Sequence, residues 1–452
     1  MSIAPKEQRL TQEGLRQYFI NGFKKPDDLQ VGVEWEKIGV YKDTLKAIRY
    51  SGPRGVESIF KALVRRNGWH AMKQRSHIIA LQKGNSSITL EPGGQIELSG
   101  KKSMFLDENA SELHSHLKEI KKISEPLGIA WLGIGLQPVS TCEEIEWVPK
   151  KRYAIMRKSL KNKGRLTFAM MKETASIQIS LDYLTEKDAL EKLRLAFALS
   201  PVLSAIYANS PISRGRLNGF YSRRCHIWRH TAPERTGIIS DVFRSDFNFE
   251  RYIEYALSVP MLFIVRGKNW VPANGITFEE FLKRGLGVHK PEIPDWPLHL
   301  TTIFTEARLK QYVEIRSMDC QKTNVGLSAP ALLKGIFYDP GSRKKAWDLF
   351  AGLSIKERLK LSADVPSRGL QSRFKDKTIW AVAVELVGLA EKGLNRLSEK
   401  KLALKNEASY LEPLKDILIR RKITPAEILM ECFSRSGSRK EIRNRIRCCA
   451  AI

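Results

Sequence analysis

Two glutamates one residue apart, Glu34 and Glu36 in VGVEWEKIGV (31–40), are the first residues in this sequence whose spacing suggests chemistry. On an extended strand they share a face and stand roughly 6.6 Å apart. At an effective dielectric of 20 their repulsion is about 2.5 kcal/mol. Lys37 points to the other face and gives no local relief. Three more acids extend the pattern: Glu91 and Glu97 bracket the turn of TLEPGGQIELSG (89–100), and Glu314 lies in QYVEIR. Such a set calls for a cation among the carboxylates. A hard divalent ion bound through oxygen beside a substrate phosphate is the natural solution. For any single strand, an antiparallel sheet with one wet face is the alternative. For Pro92-Gly93-Gly94 it is a plain hairpin turn.

The second constellation is basic. SPISRGRLNGFYSRRCHIWRHTAPERTG (210–237) carries Arg214, Arg216, Arg223, Arg224, Arg229 and Arg235 with Tyr221 and Trp228. Guanidinium forks bind carboxylates and phosphates in bidentate fashion. Interleaved aromatics also suit single-stranded nucleic acid, and a merely solvated basic loop is the third reading. Motifs that would decide otherwise are missing: there is no GxxxxGK[ST], no GxGxxG after a strand, no HExxH, no CxxC and no GxSxG. A nucleotide here must be held through metals and carboxylates in place of a glycine-rich loop.

Strands must position these side chains. Alternation runs through 31–36, QIELS (95–99), SIQISLD (176–182) and YVEIR (312–316). One face is apolar (Val33, Trp35, Ile96, Leu98, Ile177, Ile179, Val313, Ile315). The other carries Glu34, Glu36, Glu97, Gln178, Glu314 and Arg316. Further strands are expected at 77–82, 86–99, 129–137 and 261–267. Helical spacing predicts helices at 11–22, 56–67, 107–124, 186–209, 249–258, 344–352, 355–363, 377–397 and 424–433, with 186–209 apolar nearly all round and therefore buried. Residues 210–240 read as loop. Strands early and helices late make an α+β fold. No Pro/Gly/Ser linker divides the chain, so residues 1–434 are read as one catalytic domain, helix-rich from about 327. Residues 435–452 form a basic tail with six Arg and Lys against Glu441, expected as a frayed or surface helix.

Composition bounds the function classes. The 452 residues hold 76 Lys and Arg against 49 Asp and Glu, a net charge of +27. At 42% hydrophobic and 28% charged residues the chain folds, and disorder is excluded as its main state. Six cysteines, including the adjacent Cys448 and Cys449, are too sparse for a disulfide framework. That favours a reducing compartment and a cytoplasmic location. The most apolar run, Leu193 to Ala208, is too short for a bilayer and contains Arg194 and Pro201. The opening MSIAPKEQRL lacks the apolar run of a secretory signal. The positive balance fits nucleic acid, an anionic membrane surface or small anionic substrates.

Taken in order, VGVEWEKIGV, TLEPGGQIELSG, RYAIMR, SIQISLDY, ANSPISRGRLNGFYSRRCHIW, YALSVPMLFIVR, HLTTIFTEARLKQYVEIRSMD and TPAEILME resemble glutamate–cysteine ligases of the plant and proteobacterial type. The resemblance is collinear over roughly residues 10–434. It implies a glutamine-synthetase-like fold, an antiparallel sheet forming a cradle with helices behind it. It also implies a ligase that uses ATP and Mg2+ to join the γ-carboxylate of glutamate to the amine of cysteine through a γ-glutamyl phosphate, the first step of glutathione biosynthesis. Glu34, Glu36, Glu91, Glu97 and Glu314 are then the Mg2+ ligands, with Glu34, Glu36 and Glu314 also at the ATP phosphates. Arg316 and Arg235 are the catalytic cations. Arg224, Gln178, Thr174 and Trp228 bind substrate; Arg157 either joins them or pairs with a buried acid.

The chain departs from the family pattern at several places. Trp35 stands where His is usual and Ile38 where Phe is usual. Glu173 replaces an Arg, and His230 and Ala232 replace an acidic pair. CQKTN (320–324) replaces a Gly-Gly-Pro-Trp run. These changes leave open a ligase of the same fold with another amine acceptor. A nucleic-acid-binding protein is the reading from a different class; the excess charge is better taken as composition, so nucleic acid and membrane are not the expected partners. Glutamate, cysteine and ATP are, in a monomer or homodimer. Ala273 and Val288 fall near positions of a redox cysteine pair in plant members, so no disulfide switch of that kind is expected.

Overall fold

The computed structural model describes residues 10–435 and 438–452; residues 1–9, part of the segment read for a secretory signal, lie outside it. Nine strands form the main sheet: β1 (Val31–Tyr41), β2 (His70–Gln74), β3 (His77–Lys83), β4 (Ser86–Leu90), β5 (Ile96–Ser99), β6 (Ile129–Leu132), β7 (Ser176–Leu181), β8 (Ala307–Leu309) and β9 (Val313–Asp319). Their order is β8-β9-β7-β1-β5-β4-β3-β2, with β6 on the far part of β1, and every pairing is antiparallel. The α+β architecture and the cradle are as the sequence implied.

Alternation does the sorting. Val33, Trp35, Ile179 and Ile315 are at most 5% exposed and pack on helices Leu106–Ser124, Glu186–Ile206 and Thr323–Tyr338 behind the sheet. Each such side chain removed from water contributes roughly 1.5–3 kcal/mol, which fixes the register. With Trp35 held against the helices, Glu34 and Glu36 must face the other way. Register then sets the polar neighbours: Glu34 lies opposite Gln178 and Ser99, Glu36 opposite Glu97, and Glu314 opposite Ser180 and Arg308.

Two irregularities shape the cradle. The expected single strand 86–99 is broken into β4 and β5 by the turn 91–95, where Glu91 N donates to Gln95 O at 2.9 Å. Gly94 has φ +84°, and a Cβ on Gly93 would come within 2.2 Å of Lys172 O, so both glycines are required there. Gln95 Nε2 donates to Thr174 O at 2.7 Å and ties the turn to the start of β7. In β9 the register against β7 shifts between Ile315 and Met318. This bulge keeps both residues in the core and sets Arg316 and Ser317 opposite Gln178.

Several short helices carry no legible period and were not expected: Lys151–Leu160, Thr167–Glu173 and, inside the supposed loop, Arg223–Arg229, which Ser222 caps by accepting from Cys225 N at 3.0 Å. The basic residues beyond 438 form the helix Arg439–Ala450. Its Ile446 and Ala450 are buried with Ile38, Val40 and Leu132, and Ile452 N donates to Trp131 O at 3.2 Å. Cys432 and Cys449 form a disulfide, 17 residues apart in sequence. The expectation of six reduced cysteines is therefore corrected. Spacing along the chain did not reveal that two consecutive helices, Pro425–Ser434 and Arg439–Ala450, pack together and bring these sulfurs into contact. No helix among the described residues is long and apolar enough to cross a membrane.

Candidate active site

A cavity of about 300 Å3 opens on the polar face of the sheet. Glu34, Glu36, Glu91, Glu97, Thr174, Gln178, Arg224, Trp228 and Arg316 all line it, so nine of the residues singled out from the sequence are brought together from five distant segments. Sequence reasoning missed Lys150, Arg152, Tyr153, Arg308 and Lys310, which complete the wall. A signal for the last two was available: TEARLK alternates, with Ala307 and Leu309 fully buried behind and Arg308 and Lys310 in front. Lys150, Arg152 and Tyr153 come from the start of the unrecognised helix at RYAIMR.

The carboxylates differ in their surroundings. Glu36 accepts from Ser176 N at 2.6 Å, Ser176 Oγ at 3.0 Å and Gln178 Nε2 at 3.0 Å. Glu97 accepts from Thr89 Oγ1 at 3.1 Å and Ser99 Oγ at 2.9 Å. No ion pair is formed by Glu34, Glu36 or Glu97 with the described residues. Burial, then the nearby charges of Glu97 and Glu314, push the Glu34 carboxyl up to about 8. Burial and Glu91 push Glu36 to about 7, and burial with Glu91 and Glu36 does the same to Glu97. Burial also lowers the Lys150 ammonium to about 8, against the pull of Glu91 and Glu97; its Nζ donates to Leu90 O at 2.8 Å.

Three expected site residues do other work. Glu314 is fully buried and encircled by Arg308 at 2.5 Å, Arg316 at 3.0 Å and Lys310 at 3.5 Å. Burial favours its neutral form, but the three cations outweigh that and hold its carboxyl far below the usual range. It does not line the cavity and is corrected from metal and nucleotide ligand to the anchor of the cationic wall. Arg235, 1% exposed, donates to the carbonyls of Thr302 at 3.0 Å and Pro260 at 2.5 Å; it braces loops and is not a catalytic cation. Arg157 lies over the Trp147 ring, 5.1 Å from its centroid, in a neighbouring cleft of about 390 Å3 that shares Lys150 and Tyr153 with the cavity.

Among the described residues no three His, Cys, Asp or Glu side chains form a cage for a metal ion. Mg2+ seldom uses one; it is usually held by one or two carboxylates together with substrate phosphates. The oxygen-only donors Glu34, Glu36, Glu91 and Glu97 fit that mode. The departures from the family pattern lie elsewhere. Trp35 packs in the main core and Ile38 in a separate apolar cluster with Val40 and Leu132, Gln321 is buried with Nε2 on Tyr207 O at 2.6 Å, and none of Glu173, His230, Ala232 or 320–324 lines the cavity.

A family model described as glutamate–cysteine ligase family 2 matches residues 30–448. The chain is 39% identical over 428 residues to the chloroplastic glutamate–cysteine ligase of Arabidopsis thaliana, covering 94% of this chain and 80% of that protein. It is 37% identical over 433 residues to the chloroplastic glutamate–cysteine ligase B of Oryza sativa subsp. japonica, covering 95% and 85%. Among solved structures, the glutamate–cysteine ligase of Francisella tularensis in complex with AMP superposes with TM-score 0.55 at 14% identity, covering 94% of this chain and 89% of that one. A bifunctional glutathione synthetase from Pasteurella multocida gives 0.53 at 11%, over 97% and 53%. At such identities the structures share the fold. The expectation of a cytoplasmic location is corrected: these relatives are named chloroplastic and give it no support. Cysteine usage reports redox conditions, and these do not single out a compartment.

Proposed function

The chain belongs to glutamate–cysteine ligase family 2, and from that premise we propose how its cavity performs the ligation of glutamate to cysteine, the opening reaction of glutathione synthesis. The γ-carboxylate of glutamate takes the γ-phosphoryl group of ATP, releasing ADP. The cysteine amine then attacks the activated carbonyl carbon, loses a proton, and expels phosphate. Adenine-nucleotide use is supported by the AMP complex of the Francisella relative. Negative charge gathers on the transferring phosphoryl oxygens, and catalysis consists mainly of positioning and neutralising it.

The cavity is divided for that task. Arg224, Arg316, Arg152 and Lys150 present positive charge to substrate carboxylate and phosphoryl oxygens. Glu34, Glu36, Glu91 and Glu97 would hold Mg2+, which when bound neutralises the triphosphate. Arg316 is fixed by Gln178 and Glu314, and its carbonyl accepts from Arg224 at 2.9 Å, so the two guanidinium groups are set as a unit. Preorganised donors of this kind cost no reorganisation as charge develops. The observation that carries the reading is the convergence, in one cavity, of uncompensated carboxylates and fixed arginines in a chain of this family.

An ADP-release assay with Mg-ATP, glutamate and a panel of amines tests it. Cysteine-dependent turnover is expected; turnover with another amine and none with cysteine would replace the acceptor, and none at all would reject the ligase.

A further inference from the structure

Asp319, the last residue of β9, is fully buried and does not line the cavity. Its Oδ2 accepts from Asn209 N at 2.9 Å and from Ser210 Oγ at 2.7 Å. Its Oδ1 accepts from Ser222 Oγ at 2.9 Å and lies 3.8 Å from Arg224 Nη1. A carboxylate has about four lone-pair sites, and the chain itself takes them all. Burial raises this carboxyl, and Arg224 with the three donors works against that. Every neighbour donates, so a proton on Asp319 would find no acceptor. The two serines pass the charge on. Ser210 Oγ accepts from Arg224 N at 3.1 Å, and Ser222 Oγ from Cys225 N at 3.0 Å. A backbone N–H can only donate and an ionised carboxylate can only accept. Each hydroxyl proton must therefore point at Asp319 and each oxygen lone pair at the helix Arg223–Arg229. Hydrogen bonds linked in this way strengthen one another.

We propose that Asp319 is a positioning residue of the ligase: through Ser210 and Ser222 it fixes the helix Arg223–Arg229, and with it the reach of Arg224 into the cavity. The part taken by Arg224 is that of the ligase reading above, on which the proposal rests. That helix has only seven residues, too few to be stable by its own hydrogen bonds, so its direction must be set from outside. Arg224 is tied to β9 at both ends of the residue. Its backbone is held through Ser210, and its guanidinium lies beside Asp319 and donates to Arg316 O at 2.9 Å. The strand that carries Arg316 into the cavity thus sets the second guanidinium as well. Stability alone does not call for a carboxylate at this place, since well-packed apolar groups often replace buried ionic ones without loss. The direction of two hydroxyl protons does call for one.

The test is kinetic and uses the full chain. Asp319→Asn removes the charge and turns an amide donor toward one of its donor neighbours. The kcat/KM for glutamate, per folded protein, should fall roughly 100-fold, the cost of about an ångström of misplacement. The KM for Mg-ATP should stay within about threefold, because Glu34, Glu36, Glu91 and Glu97 lie on other elements. Ser210→Ala and Ser222→Ala each cut one link and should cost roughly fivefold in kcat/KM. A cycle with Arg224→Lys decides the route. Where the guanidinium fork is already gone, Asp319→Asn should add no more than about a threefold loss. If Asp319→Asn does not fold, the two serine variants run the same cycle. Losses that multiply in the double variant, equal losses for glutamate and Mg-ATP, or an unchanged kcat/KM would each overturn the proposal and leave Asp319 a support of the fold alone. Absence of glutamate- and cysteine-dependent ADP release in the unaltered protein would instead overturn the ligase reading beneath it.

Discussion

Glu36 and Glu314 project from the same face of one sheet, two strands apart across β7, and their circumstances are opposite. Glu314 is ringed by Arg308, Arg316 and Lys310, and its carboxyl is held far below the ordinary range. Glu36 is held by a hydroxyl, an amide and a backbone N–H, with Glu97 directly across the strand pair, and is raised to about 7. The first carboxylate is complete within the protein. The second forms no ion pair with the described residues, and the charge of Arg224 acts on it without offsetting burial and Glu91. On one sheet face, the supply of cations separates residues that hold the wall from residues that await a ligand.

The contrast predicts different failures. Glu36→Gln should lower Mg-dependent ADP release by about 10³-fold, the scale of losing a preorganised electrostatic contact, with only a modest loss of stability by denaturant unfolding. Retained activity would remove Glu36 from the metal and phosphate contacts. Glu314→Gln should do the reverse in kind. It leaves the buried Arg308 and the partly buried Arg316 and Lys310 around a neutral amide and should cost about 3 kcal/mol of folding free energy; an unchanged denaturation midpoint would show that the cations are solvated and the ring is not structural. Lys310 belongs to both regions, since it lies 3.5 Å from Glu314 and its charge also lowers Glu34. Lys310→Met should therefore leave the Arg308–Glu314 pair intact while raising Glu34 further, weakening the apparent affinity for Mg2+ at neutral pH by roughly fivefold. A larger loss of stability than of Mg2+ affinity would assign Lys310 wholly to the Glu314 ring.

Much of this was legible, and what was not has identifiable causes. Alternation in 31–36, 95–99 and 176–182 placed Glu34, Glu36, Glu97 and Gln178 on one face because burial of Trp35, Leu98 and Ile179 leaves no other register. The same alternation put Glu314 on that face, but could not reveal that β8 would bring Arg308 opposite it; cross-strand partners are a product of topology. Arg235 and Arg224 look alike in sequence. Only the path of the loop decides that one guanidinium is spent on the carbonyls of Thr302 and Pro260 while the other reaches the cavity. Helix Arg223–Arg229 has seven residues, too few for periodicity to emerge, so a capped helix was read as loop. The disulfide escaped because cysteine count reports on frameworks and says nothing of one pair brought together by neighbouring helices.

The smallest effect separates the two regions by pH. Glu34, Glu36 and Glu97 titrate in the folded protein near 8, 7 and 7 against an ordinary 4.5. Carboxyls raised in this way favour folding where they are protonated. Their contribution is full below the ordinary value and is lost as pH rises through 7 to 8. Glu314 runs the other way: its folded value lies below 4.5, so its contribution is present above that and is lost as pH falls beneath it. The ligand-free protein should thus show a thermal midpoint that declines on both sides, by a few degrees as pH rises from about 4.5 to 8, where the three raised groups lose their protons, and less as pH falls below about 4.5, where Glu314 takes one up. Glu36→Gln removes one of the raised groups and relieves its neighbours, so it should flatten the alkaline side and leave the acid side unchanged. Saturating Mg-ATP should flatten the alkaline side in the unaltered protein, because the missing cation has been supplied. An alkaline decline that is equal in Glu36→Gln, with and without Mg-ATP, would mean that these acids are already compensated, and the distinction between the two carboxylate regions would fail.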